Sequence, residues 1–179
     1  MLLAHETALI VIDVQGKLAR VVEDSEGAIA RIQKLIKIAT ILEIPITLTA
    51  QVPEKIGSTI PEVAGLLPGV LDIPRTSFSV FRSPQICAWL GNLGRPNVLI
   101  CGFETHICLY QSAVDLLNAG YAVHLVTDCT FSRVDYNKQI ALTMLARAGV
   151  YLTTVEMLTF EILRDARHPQ FKELATLIK

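Results

Sequence analysis

Two side chains able to move protons or attack a carbonyl stand where apolar runs stop. Asp13 directly follows Ala8-Leu9-Ile10-Val11-Ile12, and Cys108 closes the segment Gly102-Phe103-Glu104-Thr105-His106-Ile107-Cys108, just after Val98-Leu99-Ile100-Cys101. A cysteine in the first turn of a helix meets free N–H groups and the positive end of the helix dipole, which favour a thiolate. The same N–H groups can hold the oxyanion of a tetrahedral intermediate. A carboxylate partly withdrawn from water beside a thiol acts as its general base. Each residue also has a plainer reading: Cys108 as a thiol packed under a sheet, Asp13 as a loop cap.

The elements around them must bring the two together. Ala8 to Ile12 reads as a buried strand, and Ile29, Ile32, Leu35, Ile36 and Ile38 repeat at helical spacing from a cap at Ser25 to about Leu42. A second strand is expected over Ile44 to Thr49. A proline-rich stretch from Gln51 to about Phe81 follows, with a short element near Val70 to Ile73. Ser83-Pro84 opens a helix. Further strands are expected over Val98 to Gly102, Ala122 to Val126 and Val150 to Thr153. They alternate with helices over Thr105 to Ala119 and Tyr136 to Ala148, each ending at a glycine, and two helices finish the chain.

This alternation, with strands apolar on both faces, predicts a three-layer α-β-α fold on a mostly parallel, doubly wound (Rossmann-like) sheet of about six strands. The whole chain, 1–179, reads as one domain. Ligands of such sheets bind beyond the C-terminal strand ends, at the switch point in strand order. Asp13 and the Gly102 to Cys108 segment both lie at such ends.

The totals exclude several classes of partner. A net charge of −1 with no basic block argues against nucleic acid and anionic membrane. The longest apolar runs are strand-length, and the first residues do not read as a secretory signal. Cys87, Cys101, Cys108 and Cys129 show neither CxxC pairing nor metal-type spacing with the four histidines, which fits free thiols in a cytoplasmic protein. With 51% hydrophobic residues and only 18% charged, part of the surface is expected to lie in a homo-oligomer, a dimer or larger.

The strand-terminal ALIVIDVQ, then RTSFSVF, then LICGFETHIC occur in the order and approximate spacing of the isochorismatase-like cysteine hydrolases. DCTFSR and HPQFKE resemble the branch of isochorismatase domain-containing proteins. The resemblance covers nearly the whole chain and implies a cysteine hydrolase that cleaves a small amide or related C–N bond through a thioester. By that resemblance Asp13 is the acid–base residue and Cys108 the nucleophile. The backbone N–H groups of Glu104 and Cys108 form the oxyanion hole, beside a cis peptide at Phe103–Glu104. The third catalytic position, a Lys in the family, is Arg75 here; it keeps the charge but offers a planar fork that does not release a proton.

Nicotinamidases in the superfamily carry a DxHxxxxxH-type metal site after the second strand. The corresponding TAQVPEKIGSTIPE has neither His nor Asp, so no metal, no cofactor and no nicotinamide substrate are expected. Gln51, Phe78, Phe81 and Thr105 are expected to shape the pocket for a small-molecule substrate. His106 is read as lining that pocket or lying exposed on the first turn. His124 reads as a core residue, Asp128 as a cap, and Cys101 and Cys129 as core thiols close enough to influence Cys108. Arg75 also supports a different class of protein: a family member that has lost catalysis and serves as a binding or scaffold protein, or as a redox-sensitive thiol protein.

Overall fold

The chain forms six parallel strands in a computed structural model, which describes residues 1–22 and 24–178. The strands are β1 (Thr7–Ile12), β2 (Ile46–Gln51), β3 (Asp72–Arg75), β4 (Asn97–Phe103), β5 (Ala122–Phe131) and β6 (Tyr151–Thr153), in the order β3-β2-β1-β4-β5-β6. The order reverses between β1 and β4, which pair in register from Thr7↔Asn97 to Ile12↔Gly102. That is the crevice where such sheets bind ligands.

Alternate residues of the buried strands serve two separate cores. Leu9 and Val11 face a layer that includes α1 (Ser25–Ile41) and two later helices, α7 (Val155–Leu163) and α8 (Phe171–Ile178). Ala8, Ile10 and Ile12 face the opposite layer of α4 (Pro84–Leu93), α5 (Tyr110–Asn118) and α6 (Asp135–Ala148). A strand buried on both faces has no use for polar alternation, which is why these runs read as continuously apolar. The proline-rich stretch holds two one-turn helices, α2 (Pro53–Ile56) and α3 (Pro61–Ala64), each opened by its proline.

Three local expectations are corrected. Asp24, not Ser25, caps α1: its left-handed backbone turns the carboxylate onto the Gly27 N–H at 3.2 Å. The helix expected from Thr105 to Ala119 begins instead as a π-type turn, Thr105–Leu109, in which the Leu109 N–H reaches the Glu104 carbonyl at 3.2 Å. β5 runs on to Phe131, because a register shift against β4 carries Thr127 and Asp128 through a bulge that interrupts the apolar pattern.

Candidate active site

Asp13 is the first residue past β1. Its φ of 55° turns the chain out of the strand while its N–H still bonds the Thr49 carbonyl at 3.0 Å. Gly102, its neighbour across the switch point, is required by close approach. A Cβ there would lie 1.9 Å from the Ile12 carbonyl oxygen, and its φ is 118°.

Arg75 is the last residue of β3. Its guanidinium reaches across the end of β2, pairing with the Asp13 carboxylate through Nη2 and donating from Nη1 to the Ser77 carbonyl. The two charged side chains are 2% and 0% exposed. Thr49 offers its hydroxyl to the other Asp13 oxygen at 3.4 Å.

Cys108 lies in the π turn, 4% exposed, with its thiol within hydrogen-bonding reach of Asp13 and 3.8 Å from Gln51 Oε1. Ser112 fixes the turn from below: its hydroxyl donates to the Cys108 carbonyl at 2.5 Å and accepts the Val80 N–H at 2.9 Å. The Phe103–Glu104 peptide is cis. The Glu104 carboxylate turns away from the thiol and accepts the N–H and Nε of Arg133 at 3.1 and 3.0 Å.

Burial raises the Asp13 carboxyl above the ordinary carboxylate range, against the pull of Arg75. Burial, and next the Asp13 charge, pushes the Cys108 thiol up to about 12, with Arg75 offsetting only part. The Cys108 thiol is therefore neutral beside an Arg-paired acid, not the thiolate that a helix start alone would favour. Lost hydration and a neighbouring carboxylate outweigh a partial dipole.

The other sequence candidates divide. Gln51 reaches the thiol, and Phe78, 49% exposed, sits on the loop beyond β3. Phe81 points elsewhere, edge-on to Tyr121 at 5.9 Å, at the N-terminal end of β5. Thr105 is fully buried with its hydroxyl 2.9 Å from that of Thr130, a packing role. His106 is half-buried and bonded to the Ser132 hydroxyl at 2.9 Å. Asp128 caps α7 through the Val155 N–H. Cys101 and Cys129 pack on the opposite face of the sheet from Cys108, so they do not touch it.

Sequence reasoning assigned no role to Gln15, Thr49 or Ser112. Only Gln15 carried a signal, a polar amide just past the apolar strand. Among the described residues, no three His, Cys, Asp or Glu side chains come together as a metal-ligand set, and no helix is long and apolar enough to cross a membrane. A groove of about 710 Å³ between α1 and α8, lined by Ile36, Ile41, Leu66 and Leu177 with Lys37 and Lys172 among them, lies on the side of the sheet away from Cys108.

A parallel sheet with its switch point between β1 and β4, an acid past the first of these and a cysteine past the second, defines an α/β fold of the isochorismatase-like hydrolase class. The family model "Isochorismatase domain" matches residues 7–157, and the chain belongs to that family. It is 35% identical to the isochorismatase domain-containing protein 2 of Rattus norvegicus over 176 residues, 98% of this chain and 82% of that one. It is 32% identical to the structure of the MAR1 ribonuclease of Caenorhabditis elegans, with a TM-score of 0.92, over 99% of this chain and 91% of that one. The ycaC gene product of Escherichia coli, described as an octameric hydrolase of unknown specificity, shares the fold at a TM-score of 0.93 and 23% identity, over 99% and 88% of the two chains.

Proposed function

We propose that the protein is a metal-independent cysteine hydrolase acting on a small amide or related C–N bond. The observation that carries this reading is the buried Asp13 carboxyl held between the Arg75 guanidinium and the Cys108 thiol. Asp13 takes the thiol proton as Sγ bonds to the acyl carbon. The carbonyl oxygen, now an oxyanion, is received by the backbone N–H groups of Glu104 and Cys108. Collapse breaks the C–N bond, and Asp13 returns its proton to the departing amine, leaving a thioester on Cys108. Asp13 then deprotonates a water that adds to the thioester carbon; collapse expels the sulfur, which regains the proton from Asp13. Arg75 orients Asp13 and balances its charge but transfers no proton.

The shielding of all three side chains favours a small substrate. The Caenorhabditis elegans structure is named a ribonuclease, but the net charge of −1 and the lack of a basic block in this chain argue against a nucleic-acid substrate here. A second copy of the chain is the other partner we infer. Tyr136, Ile140 and Met144 recur every fourth residue along α6 and are 71%, 45% and 48% exposed, an apolar stripe consistent with a subunit contact.

Acrylamide alkylation of Cys108, followed by peptide mass spectrometry across pH, tests the mechanism without a known substrate. The rate is expected to rise first as Asp13 loses its proton, above 3.8, and again as the thiol itself ionises near 12. Asp13→Asn should erase the first rise and move the second to lower pH, because the carboxylate that helps raise the thiol is gone. An unchanged profile in Asp13→Asn would remove Asp13 as the base and favour a non-catalytic thiol protein.

A further inference from the structure

We propose that Gln15 is a positioning residue of this site: its buried side-chain amide takes the place of a missing strand beside Gln51 and so sets how the Gln51 amide meets the Cys108 thiol. The inference rests on the cysteine-hydrolase reading and adds to it a residue that lies outside the Asp13–Arg75–Cys108 set.

The need for such a residue follows from the sheet. β1 and β2 pair as far as Ile12↔Thr49, and then Asp13 turns the chain away. Gln51 lies two residues further along β2, and its N–H and C=O have no main-chain partner on that side. Gln15 supplies both halves of a peptide group. Its Oε1 accepts the Gln51 N–H at 2.6 Å, and its Nε2 donates to the Gln51 carbonyl at 2.9 Å. The second Nε2 hydrogen goes to the Gly57 carbonyl at 2.7 Å. Gln15 is 0% exposed, so each of these bonds would otherwise leave a polar group without water.

The loop is built to keep that amide in place. Gly16 follows with φ 42°, and a Cβ there would lie 1.9 Å from the Ile56 carbonyl oxygen. Main-chain bonds from Gly16 to Ser58 at 3.1 Å and from Ile60 to Val14 at 2.9 Å flank the Gln15 side chain. Gln51, held by its backbone, spends its own side chain on the site. Its Nε2 donates to the Thr76 carbonyl at 3.3 Å, next to Arg75, which leaves Oε1 facing the Cys108 thiol at 3.8 Å.

A thiol has one proton, so at rest Gln51 Oε1 and the Asp13 carboxyl compete for it. Gln51 therefore restrains transfer to Asp13 until a substrate displaces its amide. Only a side-chain amide fills the Gln15 position. Glutamate would aim a buried charge at the Gln51 and Gly57 carbonyls, and methionine would match the length but leave Gln51 and Gly57 unpaired.

The experiment measures acrylamide alkylation of Cys108 against pH in wild type, Gln51→Leu, Gln15→Met and the double variant, with Asp13→Asn alongside. Gln51→Leu keeps the backbone bonds to Gln15 and tests the thiol contact alone. It should speed alkylation about three- to tenfold near neutral pH, the value of one hydrogen bond. Gln15→Met should do the same, and the double variant should add nothing further. Equal rates in Gln51→Leu and wild type would overturn the proposal, whether or not Gln15→Met folds. So would a Gln15→Met protein that melts lower yet keeps the wild-type pH profile, since that marks a purely structural amide. Asp13→Asn separates the two readings: if it leaves the profile unchanged, the hydrolase mechanism itself has failed.

Discussion

The Arg75 guanidinium grips the Asp13 carboxylate from the far side of β2, with neither group in contact with solvent. Two buried charges have each given up hydration, and their attraction offsets that loss only while both are present. Arg75→Met should therefore destabilise the fold by about 3–5 kcal/mol in urea unfolding, because Asp13 is left buried and unpaired. Arg75→Lys should cost less, since it restores a cation near Asp13 while losing the fork that also reaches Ser77. A Met variant as stable as wild type would mean that Asp13 is neutral in the folded protein.

Three buried thiols make stability depend on alkaline pH. Burial raises Cys101, Cys108 and Cys129 above the ordinary 9.0, Cys108 to about 12. A raised folded pKa means that the folded chain keeps protons that the unfolded chain has released. The contribution is complete below pH 9 and is lost as pH climbs toward and through the folded values. Between pH 9 and about 12, stability should fall by roughly 1.4 kcal/mol per pH unit for Cys108, with Cys101 and Cys129 adding in the same direction. Urea midpoints measured at successive pH values check the slope, and replacing Cys101 and Cys129 with alanine should flatten it.

The exposed stripe on α6 gives a third expectation. α6 already buries Ala141 and Leu145 against its own sheet, so Tyr136, Ile140 and Met144 form a second apolar face that the described residues leave exposed. Light scattering coupled to size exclusion should give a mass above 19.7 kDa. Ile140→Glu should shift it toward the single chain without lowering the unfolding midpoint of that chain. A monomeric wild type would assign the stripe another role.

How much of this was legible in the sequence depends on which physical signal each element carries. Buried parallel strands announce themselves as apolar runs, so β1, β4 and the sheet class follow from residues such as Ala8–Ile12 and Val98–Cys101. Asp13 and Cys108 were legible because chemistry-bearing side chains are out of place at the ends of such runs. That neighbouring strand ends could bring the two within reach followed from the same runs; the geometry of the approach did not, since it depends on the left-handed turn at Asp13 and on the extra residue of the π turn, neither of which has a periodic signature. Gln15 escaped for a similar reason: an amide replacing a strand is visible only once the strand is seen to end. The neutral state of the Cys108 thiol was hidden too, because helix position is local whereas desolvation sums over the whole fold.

Gly102 makes the sharpest case for backbone geometry controlling this site. It sits opposite Ile12 in the β1–β4 ladder, one residue before the cis peptide and one turn before Cys108. Alanine there meets the Ile12 carbonyl at 1.9 Å in a φ of 118° that a side chain rarely adopts, so β1 and β4 must part or the turn must twist. Relief by separation breaks the sheet at its switch point; relief by twisting moves Glu104 and Cys108 relative to Asp13. Gly102→Ala should therefore lower stability by at least ~2 kcal/mol and, in the fraction that stays folded, slow Asp13-dependent alkylation of Cys108 about tenfold or more. Thermal unfolding and the alkylation profile measured on one preparation check both parts. A folded variant with the wild-type profile would show that the turn tolerates displacement from β1, and that the alignment of acid and thiol is set elsewhere.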